Sequence, residues 1–332
     1  MCAVRILVVT QMWPSPARPA LGAFVERQVR ALERLGAEVA VASVAPGPGG
    51  LRAPLKWLRL FSAATRSARA TRPDVVVGHF LFPGGEAARL AARTASAPYA
   101  LVAHGQDVIN AETSPWLRGR TRRVLDGASL LVAVSQPLAD RLAAVCPLPE
   151  NVLIAHMGVD RGAFRPGDRD IAATALGPEP RRPLVVQIGV KNGAALATAV
   201  AGIDGELWLA GPGADVAGAR MLGSLAPADV PRVLRAADIA AFVPEREGYG
   251  LAALEAMACG VPVVVSRTIP VATDLPRSCA VAVEPADPAS IQAGLGDAAG
   301  LPRDDPAGQA AADRNSVDAM AARLLQALDR LR

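Results

Sequence analysis

Two glutamates separated by seven residues, Glu247 and Glu255, flank a glycine-bearing loop and the start of an apolar run in PEREGYGLAALEAMACGVPVVVS (244–266). The order reads strand end, loop, helix, glycine stop, strand. Gly248 and Gly250 let the backbone approach a ligand at the helix N-terminus, where free N–H groups and the positive end of the dipole favour an anion such as a pyrophosphate. Glu247 in the loop and Glu255 in the second helical turn are acceptor-only carboxylates suited to hydroxyls. Phosphate in the middle with a polyol at each end describes a nucleotide sugar. Taken alone, the pattern also fits a Glu247 that serves the helix dipole and a Glu255 that is simply solvated. Other residues able to do chemistry are few. Of 35 basic residues only Lys56 and Lys191 are lysines, and the latter follows a strand in QIGVKNGAALATAV. Of the three histidines, His104 ends a strand ahead of Gly105 and Asp107 and projects toward a cleft. His79 precedes FLFPGG and reads equally as structural or acceptor-side, and His156, before MGVD, reads as structural.

Short apolar runs alternating with helix-period segments are the mark of a parallel sheet wrapped in helices, an α/β fold. Strands are expected over 4–10, 38–44, 74–78, 99–103, 129–135 and 151–155, with helices over 22–36, 52–71, 84–94, 116–127 and 136–145. After Pro166 the chain becomes irregular and polar, and the alternation restarts with PLVVQIG, ELWLAG, IAAFVP and VPVVVS. We therefore expect a first domain over 1–166, a linker over 167–181, and a second, doubly wound domain over 182–312. A terminal helix over 313–332, striped by Val317, Met320, Ala321, Leu324, Leu325 and Leu328, is expected to pack back across the domain interface. Two such domains facing a cleft would bind ligands outside the carboxyl ends of their strands.

Composition narrows the classes. A chain of 332 residues at 51 % hydrophobic content, with mean hydropathy +0.27, is globular and long enough for two domains. A net charge of +4 is too small for its length to indicate nucleic acid. Cys2, Cys146, Cys259 and Cys279 show no metal-ligand spacing, and no stretch approaches the ~20 apolar residues of a membrane span. These features lead us to expect a reduced, cytoplasmic protein. Asp304–Asp305 reads as solvated surface, and PGPGG (46–50) opens no phosphate-binding helix of the nicotinamide type. The segment 51–72 carries Arg52, Lys56, Arg59, Arg66, Arg69 and Arg72 with no acid, interleaved with Leu55, Trp57, Leu58, Leu60 and Phe61. Together with RGRTRR (118–123) it reads either as a peripheral contact with an anionic membrane at the inner face or as ordinary solvated helices.

The block 222–266 closely resembles the donor-binding half of retaining glycosyltransferases of the GT-B fold, family 4 type, whose hallmark is Glu, seven residues, Glu. Segments 12–43, 103–108 and 132–166 resemble other parts of the same family in the same order. The resemblance implies two Rossmann-like domains and hexosyl transfer, with retention, from a UDP- or GDP-sugar to a small-molecule, glycolipid or polysaccharide hydroxyl; because Lys191 and a helix N-terminus can meet the charge of the leaving diphosphate, neither metal nor cofactor is expected. It gives Glu255 the ribose hydroxyls, Glu247 the transferred sugar, and the Gly250 and Leu251 N–H groups the phosphates. Gly22 would let the first loop approach the donor, His104 would pack beside its sugar, and Lys191, after Gly189, would pair with the leaving diphosphate. The arginine that family members carry shortly after the strand-end glycine, a few residues ahead of the lysine, is absent and the loop is shortened; Arg246 and Arg267 are the candidates to replace it. A glycine pair common after the last strand is also missing, replaced by SRTIPVATDLP. A nucleotide-sugar epimerase on the same fold, or a non-catalytic partner protein that has lost turnover, are the alternatives.

Overall fold

Apolar runs too short for helices and buried on both faces form the strands: VVVGH, YALVA and LLVA have no exposed position. The computed structural model describes residues 3–44, 53–176 and 180–332. Cys2, the PGPGG segment, Leu51 and Arg52 of the basic segment, and 177–179 of the expected linker lie outside the described residues.

The first of two units comprises Met1–Met157 and Val317–Arg332. Its strands are β1 (Arg5–Thr10), β2 (Glu38–Ser43), β3 (Val75–His79), β4 (Tyr99–Ala103), β5 (Leu130–Ala133) and β6 (Val152–Ile154), all parallel in the order β2-β1-β3-β4-β5-β6. Its helices are α1 (Ala23–Arg34), α2 (Ala53–Thr71), α3 (Gly84–Ala95), α4 (Gln106–Thr113), α5 (Pro115–Leu125), α6 (Gln136–Ala143) and α13 (Val317–Asp329). In α2, Leu60, Ala64 and Ala68 recur at helical spacing and are the buried side of the helix, which packs on α3.

The second unit, Gly158–Ser316, repeats the architecture. Strands β7 (Leu184–Ile188), β8 (Glu206–Ala210), β9 (Ala219–Gly223), β10 (Ile239–Phe242), β11 (Val263–Ser266) and β12 (Ala280–Val283) run parallel in the order β12-β11-β10-β7-β8-β9. Around them lie α7 (Arg169–Thr174), α8 (Gly193–Ala201), α9 (Val230–Ala236), α10 (Leu251–Ala258), α11 (Pro288–Ala299) and α12 (Pro306–Arg314). This is the doubly wound order that reverses between β7 and β10, where ligands bind in such sheets.

Several sequence expectations change. The edge strands β9 and β12 went unread because their half-solvated residues make no continuous apolar run. The division falls at Met157, ahead of the expected 166. Residues beyond it are tied to the second unit by Val159 N–H donating to the Asn315 carbonyl and by Arg161 reaching Asp313, Gln309 and the Ala258 carbonyl. The expected linker contains α7, capped by the Asp168 carboxylate accepting from Ile171 N–H at 2.8 Å and packed on α9. The terminal helix starts at Val317, belongs to the first unit, and packs on α1 with an Arg34–Asp318 ion pair. Residues 313–316 stay with the second unit.

Candidate active site

At the switch point of the second sheet, the chain leaving β7 meets the chain leaving β10. Gln187, the buried polar residue of β7, holds them together: its amide donates to the Gly189 and Lys191 carbonyls at 3.3 and 3.0 Å and accepts from Val243 N–H at 3.3 Å. Asn192, in left-handed backbone with φ 53°, closes the same corner by donating to the Val243 carbonyl at 2.8 Å. Only four residues, Gly189–Asn192, join β7 to α8. In this short loop Lys191 Nζ donates to Glu247 Oε2 at 2.8 Å and to the Arg246 carbonyl at 3.4 Å. The two charges that the sequence places 56 residues apart thus form one ion pair.

A cavity of about 510 Å³ opens here, lined among others by Gly189, Lys191, Glu247, Gly250, Leu251 and Ile269. Gly250 caps α10 at φ 103°, a backbone that side chains rarely adopt, and a Cβ there would stand 2.7 Å from Val271 Cγ1. Gly250, Leu251 and Ala252 all line the cavity, so it adjoins the start of α10, where the first N–H groups have no partner within the helix and suit an anion. Glu255 is buried one turn along from Leu251 on the same face of α10 and is not among the lining residues. Arg246 and Arg267 are also absent from the lining, and Arg267 pairs with Glu284 at 3.2 Å. Beside the helix start, the buried Tyr249 hydroxyl donates to Asp274 at 2.7 Å, and burial followed by that bond pushes its pKa up. The SRTIPVATDLP run forms a short 3-10 turn at Pro270–Thr273, and Val271 N–H donates to the Tyr249 carbonyl.

The first sheet brings its own residues together between β1, β3 and β4. Gly22 caps α1 at φ 74°, and a Cβ there would fall 2.3 Å from the Met12 carbonyl oxygen, so the first loop folds back on the helix start only with glycine. His79 ends β3 and His104 follows β4; His79 Nδ1 lies 3.0 Å from His104 Nε2. Phe24 and Phe80 pack on the His104 ring at centroid distances of 5.2 and 4.5 Å. Desolvation, then the neighbouring His79, holds His104 well below the ordinary histidine pKa, and burial alone pushes His79 down to about 3. Asp107, buried at the start of α4, accepts from the backbone N–H groups of Leu81, His104, Gly105 and Val108 and so clamps the two strand ends. Burial pushes its carboxyl pKa up against the pull of those four bonds. His156 is buried after β6.

Within the second unit, five of the residues singled out from the sequence therefore line one cavity: Gly189, Lys191, Glu247, Gly250 and Leu251. Gly22 and His104 belong to the first unit. Gln187, Asn192 and Asp107 were missed as positioning residues. The one available signal was Gln187, a polar residue inside an apolar strand run.

A model of glycosyltransferase family 4 matches residues 21–162, and a model of glycosyl transferases group 1 matches residues 217–298, which include both glutamates. The chain belongs to the family 4 type of glycosyltransferases. This family 4 type chain is 35 % identical over 177 residues to a D-inositol 3-phosphate glycosyltransferase of Mycobacterium sp. (strain KMS), a match covering 46 % of this chain and 40 % of that protein. The chain thus spans less than half the length of these mycobacterial relatives. It is 24 % identical over 314 residues to the putative teichuronic acid biosynthesis glycosyltransferase TuaC of Bacillus subtilis (strain 168), covering 79 % and 80 % of the two chains. In fold it is similar to a sucrose-phosphate synthase from Thermosynechococcus elongatus, with TM-score 0.80, 16 % identity and 99 % of each chain covered. HepE of Anabaena in complex with UDP and glucose superposes with TM-score 0.74 at 17 % identity, covering 99 % of this chain and 100 % of the other. Two parallel six-stranded sheets with flanking helices and these neighbours make the fold GT-B.

Proposed function

We propose that the chain transfers a hexosyl unit from a nucleoside diphosphate sugar, with UDP or GDP as the nucleotide, to a hydroxyl acceptor, with retention of anomeric configuration and without a metal. The observation that carries this reading is the meeting of Lys191, Glu247 and the glycine-opened start of α10 in one cavity at the sheet's switch point. The Gly250 and Leu251 N–H groups take the diphosphate. Two of the three Lys191 N–H groups are engaged by Glu247 and the Arg246 carbonyl, which leaves the third for a phosphate oxygen. Glu247 takes hydroxyls of the transferred sugar, and Glu255, buried one turn along α10 from Leu251, the ribose. The anomeric C–O bond to phosphate breaks with its electron pair going to the diphosphate, whose growing charge is met by Lys191 and the helix N-terminus as fixed electrostatics. The acceptor oxygen bonds to the same face of the anomeric carbon and gives its proton to the leaving phosphate. HepE in complex with UDP and glucose supports a uridine nucleotide. The inositol phosphate relative supports an anionic acceptor, and the first unit, with 21 basic against 12 acidic residues, fits one. The same excess extends the reading to a peripheral contact with the inner membrane face through α2.

Incubating the protein with a panel of nucleotide sugars, with mass detection of the released nucleoside diphosphate and a chelator in parallel, tests the reading. Release from one donor, unchanged by the chelator, is expected; release from none, with no thermal protection by any nucleoside diphosphate, overturns it. Free epimerised sugar without acceptor would identify an epimerase. The absence of Arg246 and Arg267 from the cavity lining favours a second reading, a partner protein without turnover. Unchanged biological activity in both Glu247→Ala and Glu255→Ala would select it.

A further inference from the structure

His104 has a place in the transfer reading, whereas its neighbour His79 has none. His79 is fully buried, its ring lies within 19° of the plane of the His104 ring, and its Nδ1 is 3.0 Å from His104 Nε2. Its other nitrogen, Nε2, is buried without a hydrogen-bond partner among the described residues. An N···N contact of this length is attractive only with a proton between the rings, and one of the two must supply it. Were it His104, the His79 proton would sit on Nε2, a buried donor with no acceptor. With His79 as donor from Nδ1, only a lone pair is buried at Nε2, and orphaned buried N–H groups are the rarer case in folded proteins. Burial keeps both rings neutral, so a shared positive charge does not intervene. The rings are also held against turning. Asp107 bonds the backbone N–H of His104 and of Leu81, two residues beyond His79, and Phe24 and Phe80 pack on the His104 ring.

We infer that His79 is a positioning residue: it donates from Nδ1 to His104 Nε2 and thereby holds His104 as the neutral Nδ1–H tautomer, which offers a sugar oxygen an N–H donor and takes no proton during transfer. Only the identity of the ligand rests on the glycosyltransferase reading; the tautomer does not. Two-bond proton–nitrogen correlation spectra of the full chain with 15N-labelled histidine, recorded from pH 5.5 to 8, read it directly. Both His79 and His104 are expected as Nδ1–H, with neither titrating in that interval. In His79→Asn, whose side-chain amide N–H stands near the lost Nδ1–H, His104 should stay Nδ1–H and kcat/KM for the donor found above should remain within about threefold. In His79→Leu, which offers His104 Nε2 no donor, the Nε2 nitrogen shift should move to that of an unbonded imidazole nitrogen and kcat/KM should fall tenfold or more. His104 as Nε2–H in the parent protein overturns the inference, as does a His104 Nε2 nitrogen shift that is the same in His79→Leu as in the parent. Should that variant fail to fold, the parent spectrum decides alone. A parent protein that turns over no nucleotide sugar yet shows both Nδ1–H signals would remove the transfer reading and leave the tautomer assignment standing.

Discussion

Lys191 is 62 % exposed and Glu247 38 %, so water screens their ion pair and it contributes only about 0.2–1 kcal/mol to folding. Against a bound diphosphate the same ammonium makes a charge-assisted hydrogen bond, typically worth about 1.5–3 kcal/mol. Lys191→Met should therefore leave the unfolding midpoint nearly unchanged while weakening nucleoside diphosphate binding by about 10- to 150-fold, read by calorimetric titration. Equal binding by parent and variant would remove Lys191 from the site. His79 makes a contrasting prediction about stability. Unfolded, it binds a proton near pH 6.5; folded, only near 3, so below 6.5 the unfolded state holds more protons. Stability is present above 6.5 and is lost as pH falls toward 3, by about 2 kcal/mol at pH 5 from this group. Urea unfolding of the parent and His79→Asn at pH 7.5 and 5 isolates the effect, because the carboxylates are common to both. The parent's advantage should shrink by about that amount at pH 5, and an equal difference at both pH values would show that His79 is not held neutral.

The elements place these side chains through a few backbone demands. Helix α10 starts where it does because Gly250 takes φ 103° with its Cα facing Val271 and Ile269. Gly250→Ala adds both strain, about 1–3 kcal/mol, and a Cβ 2.7 Å from Val271 Cγ1. We expect a lower unfolding midpoint together with weaker diphosphate binding, seen by calorimetry. Full retention of binding would mean that the start of α10 does not cradle the phosphate. The helix itself was legible from the sequence, since Gly250 and Gly260 bound LAALEAMA on either side. Its capping geometry was not. The β7–α8 corner shows the same division: the shortness of the loop was readable at Gly189–Lys191, whereas the clamp by Gln187 and Asn192 depends on the Val243 N–H and on the carbonyls of Val243 and Pro285 far along the chain.

For the whole molecule, charge is divided unequally. The first unit carries 21 basic and 12 acidic residues and the second 14 and 19, a contrast hidden in the net +4. On the first unit, Leu55, Leu58 and Trp116 are exposed at 53 %, 61 % and 51 %, and Trp57 and Phe82 join Trp116 in one aromatic cluster. Arg120 lies over the Trp116 ring, Arg59 is exposed beside Leu58, and α2 contains no acid. Apolar side chains set among cations suit an anionic bilayer surface. No helix of the described residues is long and apolar enough to cross a membrane. The protein should co-sediment with vesicles containing phosphatidylglycerol, less so in high salt, and hardly at all with pure phosphatidylcholine. Leu55→Asp with Leu58→Asp, both on the exposed side, should abolish the binding without loss of helix content. Co-sedimentation indifferent to lipid charge and to these substitutions would argue against the surface.

Periodicity and turn chemistry alone determined the α/β class, two sheets of parallel strands and the double-glutamate helix, because buried strands and capped helices are local patterns in residue type. They also singled out Lys191, through the scarcity of lysine, and the loop in which it sits. What needed the tertiary structure were facts about neighbours distant in the chain. Lys191 meets Glu247 across 56 residues, His79 meets His104 from adjacent strands, and Asp107 clamps both strand ends through backbone N–H groups. The domain division moved for the same reason. Composition turns irregular near Pro166, but it is hydrogen bonds from Val159 and Arg161 to residues beyond 250 that assign the connecting segment to the second unit, and the packing of α13 on α1 that returns the C-terminal helix to the first.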